Sequence, residues 1–460
     1  MNDLQAGVSE PSAAEIRRRF RDGDDTPSDA LERCLARIDE ADGDLNAFLA
    51  TDRETARAEA DKATKAYRQS QLALPPLLGV PVSVKDTVEV AGMPTTYGSA
   101  LFADNQRPDS LLAQRLRAQG AVIVGKTNTP EFALVTDVRN RLGGPTRNPL
   151  DPTRTAGGSS GGAAAALAAG MCAVSVGTDS AGSIRIPAAY TGLVGLKPTY
   201  QRIPWVQDWK ASLTRSHSGP ISRDAQDAWD LLYALSGYDY RDPSSRLPAL
   251  DAGDLERART AVAQPLNVAI LLDETGPFND DVLLGEEVRE VLTDLVGKPT
   301  QLSFADLVEP FETSTIWTYA AEHYAAAEKL RGDLSTIAPN LLTDYARPIY
   351  TAAREQIAYD YVRQSQAQRQ AGIEFAHELD AYDYVFTTVA GEAPVIEEPY
   401  VPIAFPRLGL INIAGLPAVS IPFGTYPSGL PKAIQIIGRF GDDAGVLALA
   451  ERLLQTTSSR

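Results

Sequence analysis

Two periods of hydrophobic spacing alternate along the chain. Near the start Leu31, Cys34, Leu35 and Ile38 recur at helical intervals and share one face. Two start signals frame this region: Ser12 with Glu15 resembles a capping box, and Thr26-Pro27 puts a cap before a proline at the first helical position. GVPVSVKDT at 79–87 is short and β-branched and predicts a strand, LLAQRLRAQG at 111–120 a helix, and AVIVGK at 121–126 a second strand. After a glycine- and serine-rich stretch, AAAALAA at 163–169 has strong helix propensity and MCAVSVGTD at 171–179 reads as a buried strand. Further strands are expected at NVAILL (267–272), YDYVFTT (382–388), AVSIPF (418–423) and AIQIIG (433–438), while 277–379 is mostly helical in pattern. Helix alternating with strand predicts an α/β sheet covered by helices.

Composition narrows the class. With 460 residues and 44% apolar content the chain can bury one large core or two smaller ones. No internal repeat, low-complexity stretch or Gly/Ser-rich linker divides it, so one domain over 1–460 is expected. Within it we distinguish a helical N-terminal segment (about 1–70), a core (about 71–245), a variable helical insertion (about 277–380) and a C-terminal core (381–460). The net charge of −17 disfavours a nucleic-acid partner, which would need clustered Lys and Arg. No apolar run approaches the ~20 residues of a membrane span, and MNDLQAGVSEPS lacks a basic and apolar signal pattern, so a cytoplasmic protein without membrane contact is expected. Cys34 and Cys172 form no disulfide or metal framework and are expected to be small buried hydrophobes. His217, His323 and His377 have no paired spacing, so neither a metal, another cofactor nor Ser-His-Asp chemistry is expected.

RTAGGSSGGAAAAL at 154–167 sets the chemical question. It lacks the GxxxxGK[ST] and GxGxxG spacings of a phosphate cradle, and a plain structural turn is the simplest alternative. Its company changes that reading. A second serine, Ser183, stands in DSAGSIR at the end of a buried strand, and Lys85 sits alone in the apolar run VPVSVK. A lysine there can snorkel to the surface; buried, it loses its proton more easily and can serve as a general base for a serine where no histidine is available.

These stretches closely resemble the amidase signature family of serine hydrolases. GVPVSVKDT, the run from AGGSSGG to GTDSAGSIRIPAA (157–189) and GLVGLKPT (192–199) carry the likeness. LNAFLA, AGMPTTYGS, GAVIVGKTNTPEFA, GPTRNPLDPTRTAGGSSGG, LSGYDYRDPSS, INIAGLPAVSIPFG and GLPKAIQIIGR extend it over all but roughly 277–380. The resemblance implies the amidase signature fold, α/β with a central mixed sheet covered by helices on both sides. It implies a triad of Lys85, Ser159 as a bridge following a cis peptide bond, and Ser183 as nucleophile, hydrolysing a carboxamide through an acyl-enzyme. It also implies an oxyanion hole from the backbone N–H groups of Ser180, Ala181, Gly182 and Ser183, and homodimers as the oligomer common among relatives; Thr136 and Asp137 stand where the family lines the acyl pocket, and either is equally readable as a loop cap.

Several residues keep two readings. Ser160 is expected to be a structural hydroxyl or an aid in orienting the lysine, Asp179 and Arg185 a pair holding the nucleophile turn, and His217 a surface or loop residue. Trp205 and Trp209 are either an aromatic wall for the substrate or scaffold packing. Many relatives have two glycines before the nucleophile; Ala181-Gly182 here would be strained if residue 181 needed positive φ. TTVAGEAP replaces the proline-rich TPTxP of many relatives, and GLPKAIQ the usual GLPxGxQ, so no relative's substrate carries over. A small-molecule amide is the expected partner, and a stand-alone amidase the expected function. The glutaminase-type component of a tRNA-dependent amidotransferase and a biosynthetic acyltransferase are the alternatives; Ile186, where glutamine-using members carry glutamine, speaks against the former.

Overall fold

The computed structural model describes residues 11–69, 74–209, 212, 214–272, 286, 288–294, 297–303, 315–336, 341–396 and 405–457. The two caps are where the pattern puts them. Ser12 Oγ accepts from Glu15 N at 3.2 Å and Thr26 Oγ1 from Asp29 N at 3.1 Å, opening helices Ala13–Asp22 and Pro27–Leu45.

The strands are β1 (Phe48–Thr51), β2 (Pro81–Lys85), β3 (Val122–Thr127), β4 (Arg147–Asn148), β5 (Asp151–Thr155), β6 (Val174–Asp179), β7 (Val194–Lys197), β8 (His217–Ser222), β9 (Val268–Leu272), β10 (Thr300–Ser303), β11 (Tyr384–Thr388), β12 (Ala418–Thr425) and β13 (Pro431–Gly438). Among the described residues eleven form one sheet, ordered β1-β3-β2-β6-β8-β7-β12-β13-β11-β9-β10. The sheet is mixed. β3, β2 and β6 run parallel, as do β11, β9 and β10, while β8, β7, β12 and β13 join them through antiparallel pairings.

Helices cover both faces, and alternation along the strands decides which residue meets which layer. Ile123 packs with Val82, Val84, Val174 and Val176 under helices that include Leu111–Ala118, Ala225–Leu235 and Asp443–Thr457. Its neighbours Val122 and Val124 face the opposite layer, built from Pro27–Leu45, Arg53–Gln69 and the alanine-rich helix Gly161–Ala168. Fully burying one such side chain stabilises by about 1.5–3 kcal/mol.

Four sheet strands, β1, β7, β8 and β10, lie outside the runs read as strands. β8 is the instructive one. HSGPIS contains glycine, proline and three polar residues, yet all six positions are buried, because a strand covered on both faces needs no alternation. His217 is therefore not a surface or loop residue but a buried strand residue, 4% exposed.

Within 277–380 the helices Thr315–Arg331, Ala346–Arg354 and Ala358–Leu379 carry the expected pattern, and β10 adds a strand beside β9. The first two helices pack on Tyr97, Phe102, Phe132 and Trp209 in one aromatic-rich cluster. Among the described residues no helix is long and apolar enough to cross a membrane. Cys34 and Cys172 are both buried.

Candidate active site

β3, β2 and β6 run parallel, and the candidate groups collect where their carboxyl ends open, the usual position for a site in such a sheet. Lys85 is the last residue of β2 and is fully buried. It does not snorkel. Its Nζ donates to Ser159 Oγ at 2.6 Å and to the Thr178 carbonyl at 3.4 Å. Burial pushes its pKa well below the ordinary lysine value, with the Asp179 charge pulling weakly the other way.

Ser159 and Ser160 lie between β5 and helix Gly161–Ala168, and the Gly158–Ser159 peptide bond is cis. Gly158 allows this approach: a Cβ there would stand 2.7 Å from the Thr136 carbonyl carbon and 2.7 Å from Asp137 N. Ser160 is a brace. Its Oγ donates to Thr178 O at 3.1 Å and accepts from Thr178 N at 3.2 Å, while its N–H donates to Ser183 O at 3.1 Å. The serine turn is thus tied both to β6 and to the loop that carries Ser183.

That loop follows β6 and is organised by one carboxylate. Asp179, fully buried, accepts from Gly182 N (2.8 Å), Ile184 N (3.1 Å), Arg185 Nε (3.0 Å) and an Arg185 terminal nitrogen (3.0 Å). Asn412, from helix Phe405–Ile413, donates to both the Asp179 carboxylate and its carbonyl at 2.9 Å. Although desolvation opposes it, the Arg185 charge and these donors hold the carboxyl far below the usual carboxylate range. The expected Asp179–Arg185 pair is present.

The four N–H groups expected to form an oxyanion hole are not alike: the Gly182 N–H donates to Asp179 at 2.8 Å, while those of Ser180, Ala181 and Ser183 have no hydrogen-bond partner among the described residues. Positive φ falls on Gly182 (105°), and Ala181 is not among the residues with positive φ, so alanine there carries no backbone strain. Ser183 is 8% exposed and Ser159 1%.

Of the residues expected to line the substrate pocket, Thr136 packs against Gly158 and leaves its buried Oγ1 without a hydrogen-bond partner among the described residues. Asp137 accepts from Thr155 Oγ1 at 2.6 Å and pairs with Arg139. Trp209 has the scaffold contacts of one of its two readings: it is 1% exposed and stacked with Tyr97 at 4.3 Å and Phe132 at 5.6 Å. Trp205 is half-buried and donates Nε1–H to the Trp209 carbonyl at 3.0 Å.

Four groups near the loop were not singled out in the sequence: Asn412, Arg215, Tyr319 and His323. Asn412 lies inside INIAG, a stretch that carried the resemblance; the other three had no readable signal. Burial drops the His323 pKa to about 3, which keeps its ring neutral at pH 7. No group of three or more His, Cys, Asp or Glu side chains able to hold a metal ion occurs among the described residues.

Comparison with known proteins shows the family. The Amidase family model matches residues 29–447. A putative amidase of Mycobacterium bovis, AmiB2, is 33% identical over 459 residues, covering 96% of this chain and 95% of its own. The glutamyl-tRNA(Gln) amidotransferase component of a Synechococcus strain is 31% identical over 481 residues, covering 96% of each. Among solved structures, a bacterial aryl acylamidase of the amidase signature family superposes with a TM-score of 0.87 at 25% identity, covering 97% of this chain and 96% of that one. A match over residues 29–447, together with relatives aligned over nearly their whole length, makes this chain a member of the amidase family, enzymes that cleave amide C–N bonds.

Proposed function

We propose that the protein is a stand-alone amidase that hydrolyses a small carboxamide through a Ser183 acyl-enzyme, releasing a carboxylate and ammonia or an amine. The observation that carries the reading is the 2.6 Å contact between Lys85 Nζ and Ser159 Oγ, in a setting where, among the described residues, the lysine hydrogen-bonds only a hydroxyl and a carbonyl. A lysine so placed is neutral and can accept a proton.

In the first step Ser159 passes its hydroxyl proton to Lys85 Nζ and takes the proton of Ser183 Oγ. The Ser183 oxygen attacks the amide carbon, and the C–O bond forms as the carbonyl π-pair moves onto oxygen. N–H groups of Ser180, Ala181 and Ser183 stabilise that oxyanion, each donor contributing about 2.7–4 kcal/mol when preorganised. The oxyanion then collapses, the C–N bond breaks, and the lysine proton returns through Ser159 to the leaving nitrogen. Water attacks the acyl-enzyme by the same relay, and the carboxylate departs. Thr136, with its unpartnered Oγ1, and Asp137 are proposed to border the acyl group.

The amidotransferase reading shares this chemistry, and a relative of that name is among the matches. Ile186 favours the stand-alone enzyme: it is fully buried among Val389, Leu408 and Tyr190 and offers no amide where glutamine-using members do. The test is a panel of aliphatic, aryl and amino-acid amides, followed by ammonia or amine release and by acid-quench mass spectrometry. Turnover with an acyl adduct on Ser183, absent in Ser183→Ala, is expected. Acyl transfer to added amines in preference to water would make the protein an acyltransferase, and adducts forming without Ser183 would overturn the reading.

A further inference from the structure

Strand β3 ends at Thr127, and the loop 131–139 that follows contains two consecutive left-handed residues, Phe132 (φ 54°) and Ala133 (φ 56°). Residues with a Cβ rarely adopt that conformation, and it persists only where the surroundings over-determine it. Here the surroundings come from the segment that carries no recognised motif. Glu131, fully buried, accepts from Ser99 Oγ at 2.5 Å and from both the backbone N–H and the Oγ1 of Thr343 at 2.7 Å. Tyr319 of helix Thr315–Arg331 donates to the Ala133 carbonyl at 3.3 Å, and the Phe132 ring packs edge-on against Tyr324 at 5.5 Å.

One hydroxyl closes this loop. Tyr345, just ahead of helix Ala346–Arg354, accepts from the Glu131 N–H at 2.7 Å and donates to the Arg139 carbonyl at 2.7 Å, so a single oxygen joins the two ends of 131–139. Between those ends the loop lies on the serine turn. A Cβ at Gly158 would stand 2.7 Å from the Thr136 carbonyl carbon and 2.7 Å from Asp137 N, and one at Gly161 would stand 2.7 Å from a Val138 methyl. Asp137 accepts from Thr155 Oγ1 at 2.6 Å, and the Val138 carbonyl accepts from Thr146 N at 3.2 Å. The loop therefore has its ends tied to the unrecognised segment and its middle against the turn that carries Ser159.

We propose that Tyr345 is a positioning residue that sets acyl selectivity: its hydroxyl clasps the ends of the loop 131–139 and so fixes Thr136 and Asp137 where the acyl group lies. The proposal rests on the reading of those two residues as the border of the acyl group and of Ser183 as the nucleophile. Tyr345 itself touches no reacting atom. With the clasp open, Phe132 and Ala133 can leave the left-handed region, and the wall at 136 and 137 shifts with them. The lysine relay stays in place, because Lys85 lies on β2 and Ser160 ties the serine turn to Thr178 of β6. Opening the clasp thus blurs the choice among acyl groups and leaves the chemistry intact.

The experiment compares wild type, Tyr345→Phe and Tyr350→Phe on p-nitrophenyl acetate, butyrate and octanoate, and follows hydrogen exchange of the peptide covering 131–139 in the same proteins. Tyr345→Phe keeps the ring and removes only the hydroxyl. Tyr350 lies on the adjoining helix, but its hydroxyl meets Glu328 and Arg354, so Tyr350→Phe is the control and should match wild type in both readouts. In Tyr345→Phe the exchange of 131–139 should speed about tenfold, the size of one net hydrogen bond. The spread in kcat/KM between the best and the worst ester should narrow about tenfold, through KM rather than kcat. Should Tyr345→Phe not fold, Tyr319→Phe, which frees the Ala133 carbonyl, carries the same test with the same shifts at smaller size. Unchanged exchange would overturn the clasp. Faster exchange with an unchanged ester profile would make Tyr345 purely structural and overturn its part in selectivity, as would equal wild-type rates on all the esters. A wild type that hydrolyses none of them, or a Ser183→Ala variant that still does, would instead overturn the acyl-enzyme reading beneath the proposal.

Discussion

Neighbouring strands each deliver a buried lysine, and the two side chains end in opposite surroundings. Lys85 on β2 and Lys126 on β3 are both fully buried, and Val84 pairs directly with Lys126 across the ladder. Lys126 Nζ meets the Asp86 carboxylate at 2.8 Å and Thr95 Oγ1 at 2.9 Å. Among the described residues Lys85 hydrogen-bonds only a hydroxyl and a carbonyl, and the charge that acts on it, Asp179, is already paired with Arg185 at 3.0 Å. Desolvation lowers both lysines, and at Lys126 the charge and hydrogen bond of Asp86 pull the other way. A carboxylate in contact, rather than burial, separates the two surroundings. Lys197 adds the other half of the lesson. It too is buried and lowered, but its Nζ donates to the Pro198 and Leu416 carbonyls, with no serine to relay a proton. A neutral lysine becomes a catalyst only when a hydroxyl chain connects it to a nucleophile.

The sharpest break of this comparison exchanges the two lysines' losses. Lys85→Ala is expected to reduce turnover of whichever amide is found by about 10⁴-fold, read from initial rates, with a folded protein by circular dichroism. Lys126→Met should act on stability instead. It strands Asp86 in the interior, and urea unfolding should show a loss of about 3–5 kcal/mol. Lys85→Met should show no such loss, since it replaces an uncompensated buried group with an apolar one. If both substitutions cost stability equally and neither selectively abolishes turnover, the distinction between the two sites collapses.

A smaller effect follows from linkage. The folded pKa of Lys85 lies below its ordinary 10.5, so between those two values the unfolded chain binds one more proton than the folded one. Stability therefore rises with pH across that window and is lost as pH falls from 10.5 toward the folded pKa, by up to about 1.4 kcal/mol per pH unit. Subtracting the Lys85→Met stability profile from the wild-type one isolates this slope; a flat difference would mean that Lys85 keeps its proton in the fold. Smallest is Ala181→Gly. Because Ala181 is not at positive φ, glycine should destabilise by no more than about 1 kcal/mol, and a raised thermal midpoint would reveal strain in the loop.

What could be read in the sequence was what sits on short contiguous stretches. Lys85 interrupts an apolar strand, the double serine is bracketed by glycines that permit its close approach, and Asp179 and Arg185 flank Ser183 within one turn; each is local. The parts that were illegible are brought in by tertiary contact. Asn412 arrives from a C-terminal helix, Tyr319 and His323 from a helix whose polar and aromatic residues look like ordinary surface and core, and Arg215 from the approach to a strand that glycine and proline disguise. Trp209 was ambiguous for the same reason, since only the fold shows Tyr97 and Phe132 stacked on it. The spent donor at Gly182 could not be foreseen, because a backbone N–H leaves no mark in the sequence.

The most direct test of a neutral Lys85 acting through Ser159 is the pH dependence of Ser183 phosphonylation, with the modified residue mapped by mass spectrometry in wild type, Lys85→Ala and Ser159→Ala. The wild-type rate is expected to rise along a single limb and level off well below pH 10.5, with labelling on Ser183 alone and both variants losing the limb. A wild-type rate that climbs only near the ordinary lysine value, or a Lys85→Ala profile that overlays the wild type, would contradict it.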